Sequence, residues 1–151
     1  KNKEMSTSSR AANQMSLIFK FNFGSTTVLF TGDSGFDEEK YLVRLENTLS
    51  SSSPRSPQRY SLNSDILKVG HHGSKNSTDE NFLRIVNPHI ALISMGRDNK
   101  YGHPHSTAIS KLEKYMEESN ILRADTCGTI KLYIYKNGAV GRRRCDSSSI
   151  K

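Results

Sequence analysis

Tryptophan is absent and cysteine is scarce: the 151 residues hold two cysteines, Cys127 and Cys145. They form no CxxC pattern, which argues against a cysteine zinc site and a disulfide framework and predicts reduced thiols, a weak pointer to an intracellular setting. No run is long and apolar enough to cross a bilayer. The N-terminus, Lys1-Asn2-Lys3-Glu4-Met5-Ser6-Thr7, lacks the apolar stretch of a signal peptide and does not begin with Met. It reads as an internal piece of a longer polypeptide. No histidine precedes His71, and no internal repeat is visible.

What is present suits one soluble domain with a real core: 34% of the residues are hydrophobic and 25% charged. The net charge of +7 makes an anionic partner possible. The excess is spread out apart from Arg142-Arg143-Arg144, so a solvated surface accounts for it equally well.

Residues 1–13 read as a flexible polar lead-in. Leu17, Phe19, Phe21 and Phe23 alternate with smaller or polar residues, the period of a strand with one buried face. Gly24-Ser25-Thr26 turns the chain into a returning strand, Thr27–Thr31. Asp37–Leu49 has helical spacing. Residues 50–60, with consecutive serines and two prolines, read as a loop insertion. Asp65–Val69 is a short central strand that stops at Gly70-His71-His72-Gly73-Ser74. Thr78–Val86 reads as a helix capped by Ser77 or Thr78. His89–Met95 is the most apolar strand, as in a parallel sheet. Thr107–Ser119 reads as a helix, Ile121–Arg123 as a brief strand and Thr129–Tyr135 as an alternating strand, with Asn137-Gly138 as a hairpin signal. The order predicts an α/β layered domain over 14–136, followed by a basic, serine-rich tail, 137–151.

Three loops, each following an apolar strand, could carry chemistry: Thr31-Gly32-Asp33, His71-His72-Gly73-Ser74 and Gly102-His103-Pro104-His105. If those strand ends share one side of the sheet, a carboxylate and several imidazoles converge. Zinc and similar cations take such oxygen and nitrogen ligands. A carboxylate can bridge two metals and help hold a hydroxide nucleophile. Blander readings stand beside each. An Asp in a Gly-Asp-Ser-Gly turn is usually a turn residue accepting backbone N–H bonds. His89, after Pro88 at the start of a strand, reads as structural. His105 can simply begin a helix, and Lys75 and Arg97 read as solvated. Adjacent histidines at a strand end have less structural purpose.

Taken in order, Asn13-Gln14-Met15-Ser16-Leu17, Thr31-Gly32-Asp33, Lys68-Val69-Gly70-His71-His72-Gly73-Ser74, Asn99-Lys100-Tyr101-Gly102-His103-Pro104 and Ala124-Asp125-Thr126-Cys127-Gly128 resemble the C-terminal half of a metallo-β-lactamase-fold hydrolase. The nearest subgroup is the hydrolase domain of the competence protein ComEC and its free-standing relatives. The resemblance implies an αββα sandwich, here only one mixed sheet plus helices. It also implies a two-metal site, usually zinc, between two sheets. Asp33 matches the bridging ligand and His71 the last ligand of the second metal. His72 would be an alternative ligand or a substrate group, Ser74 and His103 would lie on the substrate side, and Asp125 would structure the closing turn. In place of the subgroup's Val-Pro before the paired histidines stand Val69-Gly70, and in place of its Thr-Asp, Ala124-Asp125.

The family's HxHxDH motif has no counterpart in these residues. The resemblance therefore implies an incomplete metal site, weak metal binding and no activity by this chain alone. It also implies a missing partner, the N-terminal half of the fold or a complementary chain. Half a sandwich would expose Phe19, Phe21, Phe23, Val28, Phe30, Ile66 and Ile93. The implied activity is metal-dependent hydrolysis of a phosphodiester, with DNA as the substrate class. Alternatives are a degenerate, non-catalytic binding module and a hydrolase of small phosphate or carboxylic esters. A free-standing relative would be cytoplasmic, and a ComEC-type context would place the domain at a membrane.

Overall fold

The computed structural model describes residues 15–52 and 61–146. The lead-in, most of the Ser/Pro loop and the last five residues lie outside this range. Among the described residues, seven strands and four short-to-medium helices follow in order: β1 (Phe19–Phe23), β2 (Thr26–Phe30), α1 (Phe36–Ser52), β3 (Ile66–Lys68), α2 (Glu80–Val86), β4 (Ile90–Ile93), α3 (Ser106–Glu113), β5 (Ile121–Arg123), α4 (Ala124–Cys127), β6 (Thr129–Ile134) and β7 (Val140–Asp146). Single 3₁₀ turns, Gly70–Gly73 and Glu118–Asn120, follow β3 and precede β5.

The five-stranded sheet has the order β1-β2-β3-β4-β5. β1 is an antiparallel edge, and β2 to β5 run parallel. Because the parallel strands are laid down in sequence, right-handed crossovers put the connecting helices on one face. Leu29, Leu67, Val69, Ala91 and Ile93 meet Leu42 of α1, Phe82, Leu83 and Val86 of α2, and Leu112 of α3 in one closed core there. Five of them, Leu83, Val86, Ala91, Ile93 and Leu112, are fully buried.

The other face carries Val28, Ile66 and Ile90 and is covered by Leu132, Ile134 and Val140 of the β6–β7 hairpin. This corrects part of the expected exposed patch. Phe19, Phe21 and Phe23 are open at 47%, 48% and 38%. Val28 and Ile66 are buried under the returning hairpin, and Ile93 belongs to the helix-side core. Between hairpin and sheet remains a largely apolar groove of about 430 Å³, lined by Phe21, Phe30, Lys68, Leu92, Ser94 and Leu132 among others. The strand after Asn137-Gly138 runs as far as Asp146, into what the sequence marks as tail.

Several boundaries differ for identifiable reasons. α2 is capped by Asp79, whose carboxylate accepts from the N–H groups of Asn81 and Phe82, rather than by Ser77 or Thr78. Thr78 sits at φ 68°, outside the extended backbone that a capping residue adopts. α3 ends at Glu113 rather than Ser119, where Lys114 and Tyr115 donate i−3 bonds that tighten and close the last turn. Cys127 is disulfide-bonded, against the reduced thiols that the cysteine spacing suggests.

Candidate functional site

Parallel strands bring their C-terminal ends to one edge, and three loops leave from it. After β2 come Gly32 and Asp33. After β3 come Gly70 to Gly73, and after β4 the loop from Ser94 to His105. The first two loops are tied together by the His71 N–H donating to the Gly32 carbonyl at 3.1 Å and by Thr31 Oγ1 donating to the Lys68 carbonyl at 2.8 Å. Ser16 Oγ accepts the Asp33 N–H at 3.0 Å, fixing the start of the aspartate's turn.

Glycine is required twice. A Cβ on Gly70 would stand 2.8 Å from the Ser34 carbonyl oxygen, so only hydrogen lets the loops approach. Gly73, at φ 75°, would meet Pro104 Cβ at 2.7 Å. Its carbonyl accepts the His105 N–H at 2.9 Å, docking the third loop on the second. Between these glycines His71 and His72 both adopt left-handed backbone, φ 45° and 54°. That conformation is uncommon away from glycine and turns both rings toward the same edge.

The imidazoles form a cluster. His71 and His103 meet edge to face at 5.5 Å between centroids, His103 and His105 lie 4.9 Å apart, and His72 stacks loosely on His103 at 6.4 Å. His72 Nε2 lies 3.3 Å from Asp33 Oδ1. Its Nδ1 is bonded to the Ser94 carbonyl, which can only accept, so Nδ1 carries the hydrogen. Nε2 and the Asp33 carboxylate then face each other as two acceptors unless a proton or a cation lies between them.

Burial holds His71 below the ordinary imidazole value; Asp33 opposes this, while His72, Lys68 and His105 add to it. Burial does the same to His103, helped by His105, His71 and His72. Both rings are thus biased to the neutral form that can ligate a metal. Lys68, whose Nζ donates to the Gly32 carbonyl at 3.3 Å, is lowered by burial and raised by Asp33.

Of the residues singled out by sequence, Asp33, His71, His72 and His103 stand together at this edge. Ser74 is 4% exposed, its N–H bonds the His71 carbonyl and its Oγ accepts from Asn76 N–H, so it faces its own turn. Asp125 takes both Nε and Nη2 of Arg123, at 3.1 and 2.6 Å, bracing the turn after β5. His89 is remote, paired with Asp65 at 3.6 Å. Sequence reasoning passed over Lys68, which hides inside an apolar strand. It also left out Glu39, a buried carboxylate whose Oε1 and Oε2 accept the N–H groups of Thr78 and Asp79 at 2.9 and 2.7 Å. His105, read as a helix start, sits at the N-cap position of α3 and also closes the imidazole cluster, its Nδ1 accepting the Lys75 N–H at 3.3 Å.

A sheet with a carboxylate and paired histidines at the ends of its parallel strands fits the metallo-β-lactamase class, and the chain belongs to the metallo-beta-lactamase superfamily, whose profile matches residues 17–97. That span contains Asp33, His71 and His72 and stops short of His103. The chain is similar to ComE operon protein 3 of Bacillus subtilis (34% identity over 125 residues, 83% of this chain and 14% of that protein). It is also similar to Recombination protein 2 of Haemophilus influenzae (30% over 128 residues, 85% and 14%). Competence protein ComA of Neisseria gonorrhoeae matches at 28% over 131 residues, 87% and 17%. The chain thus spans about one seventh of the first two relatives. No solved structure gives a significant match. Among the described residues no helix is long and apolar enough to cross a membrane.

The superfamily implies a divalent metal. The Asp33 carboxylate and the His72 and His71 rings have the oxygen and nitrogen donors for part of a ligand set. Among the described residues, no group of three or more His, Cys, Asp or Glu is disposed to hold a metal ion.

Proposed function

We propose that this chain supplies one half of the active site of a metal-dependent hydrolase that acts on phosphodiesters, nucleic acid being the substrate class. The observation that supports this reading best is the convergence at one sheet edge of the Asp33 carboxylate and the rings of His71 and His72, with Nε2 of His72 aimed at Asp33. Asp33, His71 and His72 would hold a divalent cation, zinc by the nitrogen and oxygen character of the set. Such a cation supplies Lewis acidity and an activated water.

The chain's own residues prepare the place. Ser94 holds the His72 tautomer. Gly70 and Gly73 let the three loops close on one another, and His103 walls the two ligating rings. Lys68 sets a cation beside Asp33 at the mouth of the apolar groove. The remaining ligands and the cover for Phe19, Phe21 and Phe23 would come from the N-terminal half of the fold or a complementary chain. The competence-related names of the relatives favour DNA as the substrate and a membrane-adjacent setting.

Calorimetric titration with Zn²⁺ tests this. The chain should bind weakly and Asp33→Asn should abolish the binding. Tight uptake of two ions by the chain alone would overturn the half-site reading, and no uptake at all would remove the metal from it. Without its complement the chain should leave bis(p-nitrophenyl) phosphate intact.

A further inference from the structure

The loop from Arg97 to His105 is built to be stiff, yet it displays an aromatic ring to solvent. Asn99 braces it from inside. Its Nδ2 donates to the carbonyls of Gly96 and His103 at 2.9 and 2.6 Å, and its Oδ1 accepts the His103 N–H at 2.9 Å. The Gly102 N–H closes on the Asn99 carbonyl at 3.2 Å. On this braced loop Tyr101 is 66% exposed. Its ring stacks on that of His103, 5.8 Å away at an interplanar angle of 28°, so it extends the ring cluster outward from the site. Lys100 Nζ sits 5.2 Å from the ring centroid. The Lys75 N–H bonds His105 on the neighbouring loop, which puts a second exposed lysine at the same rim.

An aromatic face held rigidly beside a cation is the arrangement that receives an unpaired nucleobase: the ring stacks on the base and the ammonium meets the adjoining phosphate. From this juxtaposition we propose that Tyr101 is a substrate-positioning residue. It stacks on an unpaired base next to the phosphodiester presented to Asp33 and the histidines, so the site takes single strands in preference to duplex. The proposal rests on the phosphodiester reading above and extends it to the form of the substrate.

The test uses the chain, a short fluorescent oligothymidylate and an abasic strand of equal length, with affinity read by anisotropy at low salt. Oligothymidylate should bind about tenfold more tightly than the abasic strand, the scale of one aromatic–base stack. Tyr101→Ala should erase that difference and Tyr101→Phe should keep it. The ring's exposure means that truncation spares the fold. A duplex, its bases already stacked, should bind parent and Tyr101→Ala alike. If both strands bind the parent equally, or if Tyr101→Ala keeps the preference, the stacking role falls while phosphate recognition stands. If neither strand binds at low salt, the stacking role and the nucleic-acid reading fall together.

Discussion

Two aspartate–histidine pairs stand at opposite ends of the same parallel strands. At the C-terminal edge His72 Nε2 lies 3.3 Å from Asp33 Oδ1; at the N-terminal edge His89 Nδ1 lies 3.6 Å from Asp65 Oδ1. In isolation they look alike, and their surroundings separate them. Asp65 Oδ2 is spent on Thr27: it accepts the backbone N–H at 2.7 Å and the Oγ1 hydroxyl at 2.9 Å, stitching β2 to β3. Those bonds and His89 outweigh burial and hold its carboxyl below the ordinary range. Asp33 faces a cluster of imidazoles brought by three loops, and its side chain remains 44% exposed. An Asp–His contact therefore says little by itself. What marks chemistry is a carboxylate not committed to the backbone, in company with other donors.

The strongest test of this contrast lies behind the chemical end. Glu39 is 1% exposed and clamps the segment that follows the paired histidines. Ser77 in that segment donates to the Gly70 carbonyl, so the clamp reaches the turn that aims both rings. Burial raises the Glu39 carboxyl to about 7, against the N–H bonds from Asp79 and Thr78 that oppose the rise. Its folded value lies above the unfolded one, so the folded state binds the proton more tightly. The stabilisation is full below the unfolded value and is lost as pH rises through about 7. The window is worth on the order of 3 kcal/mol. Urea midpoints at pH 5 and pH 8 should show this slope in the parent and its loss in Glu39→Gln. Equal slopes would mean that Glu39 does not titrate in the fold.

Next comes the structural pair. Asp65→Ala removes an acceptor from the Thr27 N–H and should cost about 2 kcal/mol, read by chemical denaturation. Cation binding at the far edge should not change. A loss of both would break the distinction between the two ends.

The distinction was half legible in sequence. Strand positions, and the loops carrying Asp33 and His71-His72, follow from local alternation punctuated by glycine, which needs no knowledge of distant residues. What was missed depends on contacts between elements far apart in the chain. The cover of Val28 and Ile66 comes from Leu132 and Ile134, far downstream of both. Glu39 looks like any surface residue of a helix's first turns until the segment near Thr78 packs on it. Cys127 stands just before β6 and is disulfide-bonded, which spacing along the chain does not encode. Lys68 was hidden because an apolar strand gives no hint of which face its lysine takes.

Smaller effects should follow at the chemical end. Asp33→Asn keeps the shape of the side chain and removes its charge from a half-exposed position. Stability should change by no more than about 0.5 kcal/mol, as for surface substitutions generally, while Zn²⁺ uptake disappears. A large loss of stability would give Asp33 the bracing role now assigned to Asp65 and would leave the edge without a free carboxylate.

The smallest expected effect separates the two histidines. The His89 side chain is 77% exposed, so its pair with Asp65 is screened and worth well under 1 kcal/mol. His89→Ala should leave the denaturation midpoint nearly unmoved, and whatever difference appears should shrink as salt is added. His72→Ala should be nearly as mild for stability, because the Ser94 carbonyl it leaves can turn to water at an edge this open. Its consequence should appear in Zn²⁺ titration, where affinity drops with the loss of the nitrogen facing Asp33. If His89→Ala weakens Zn²⁺ uptake as much as His72→Ala does, the cation is not binding at the edge where the three loops meet, and the contrast between the two ends has no chemical content.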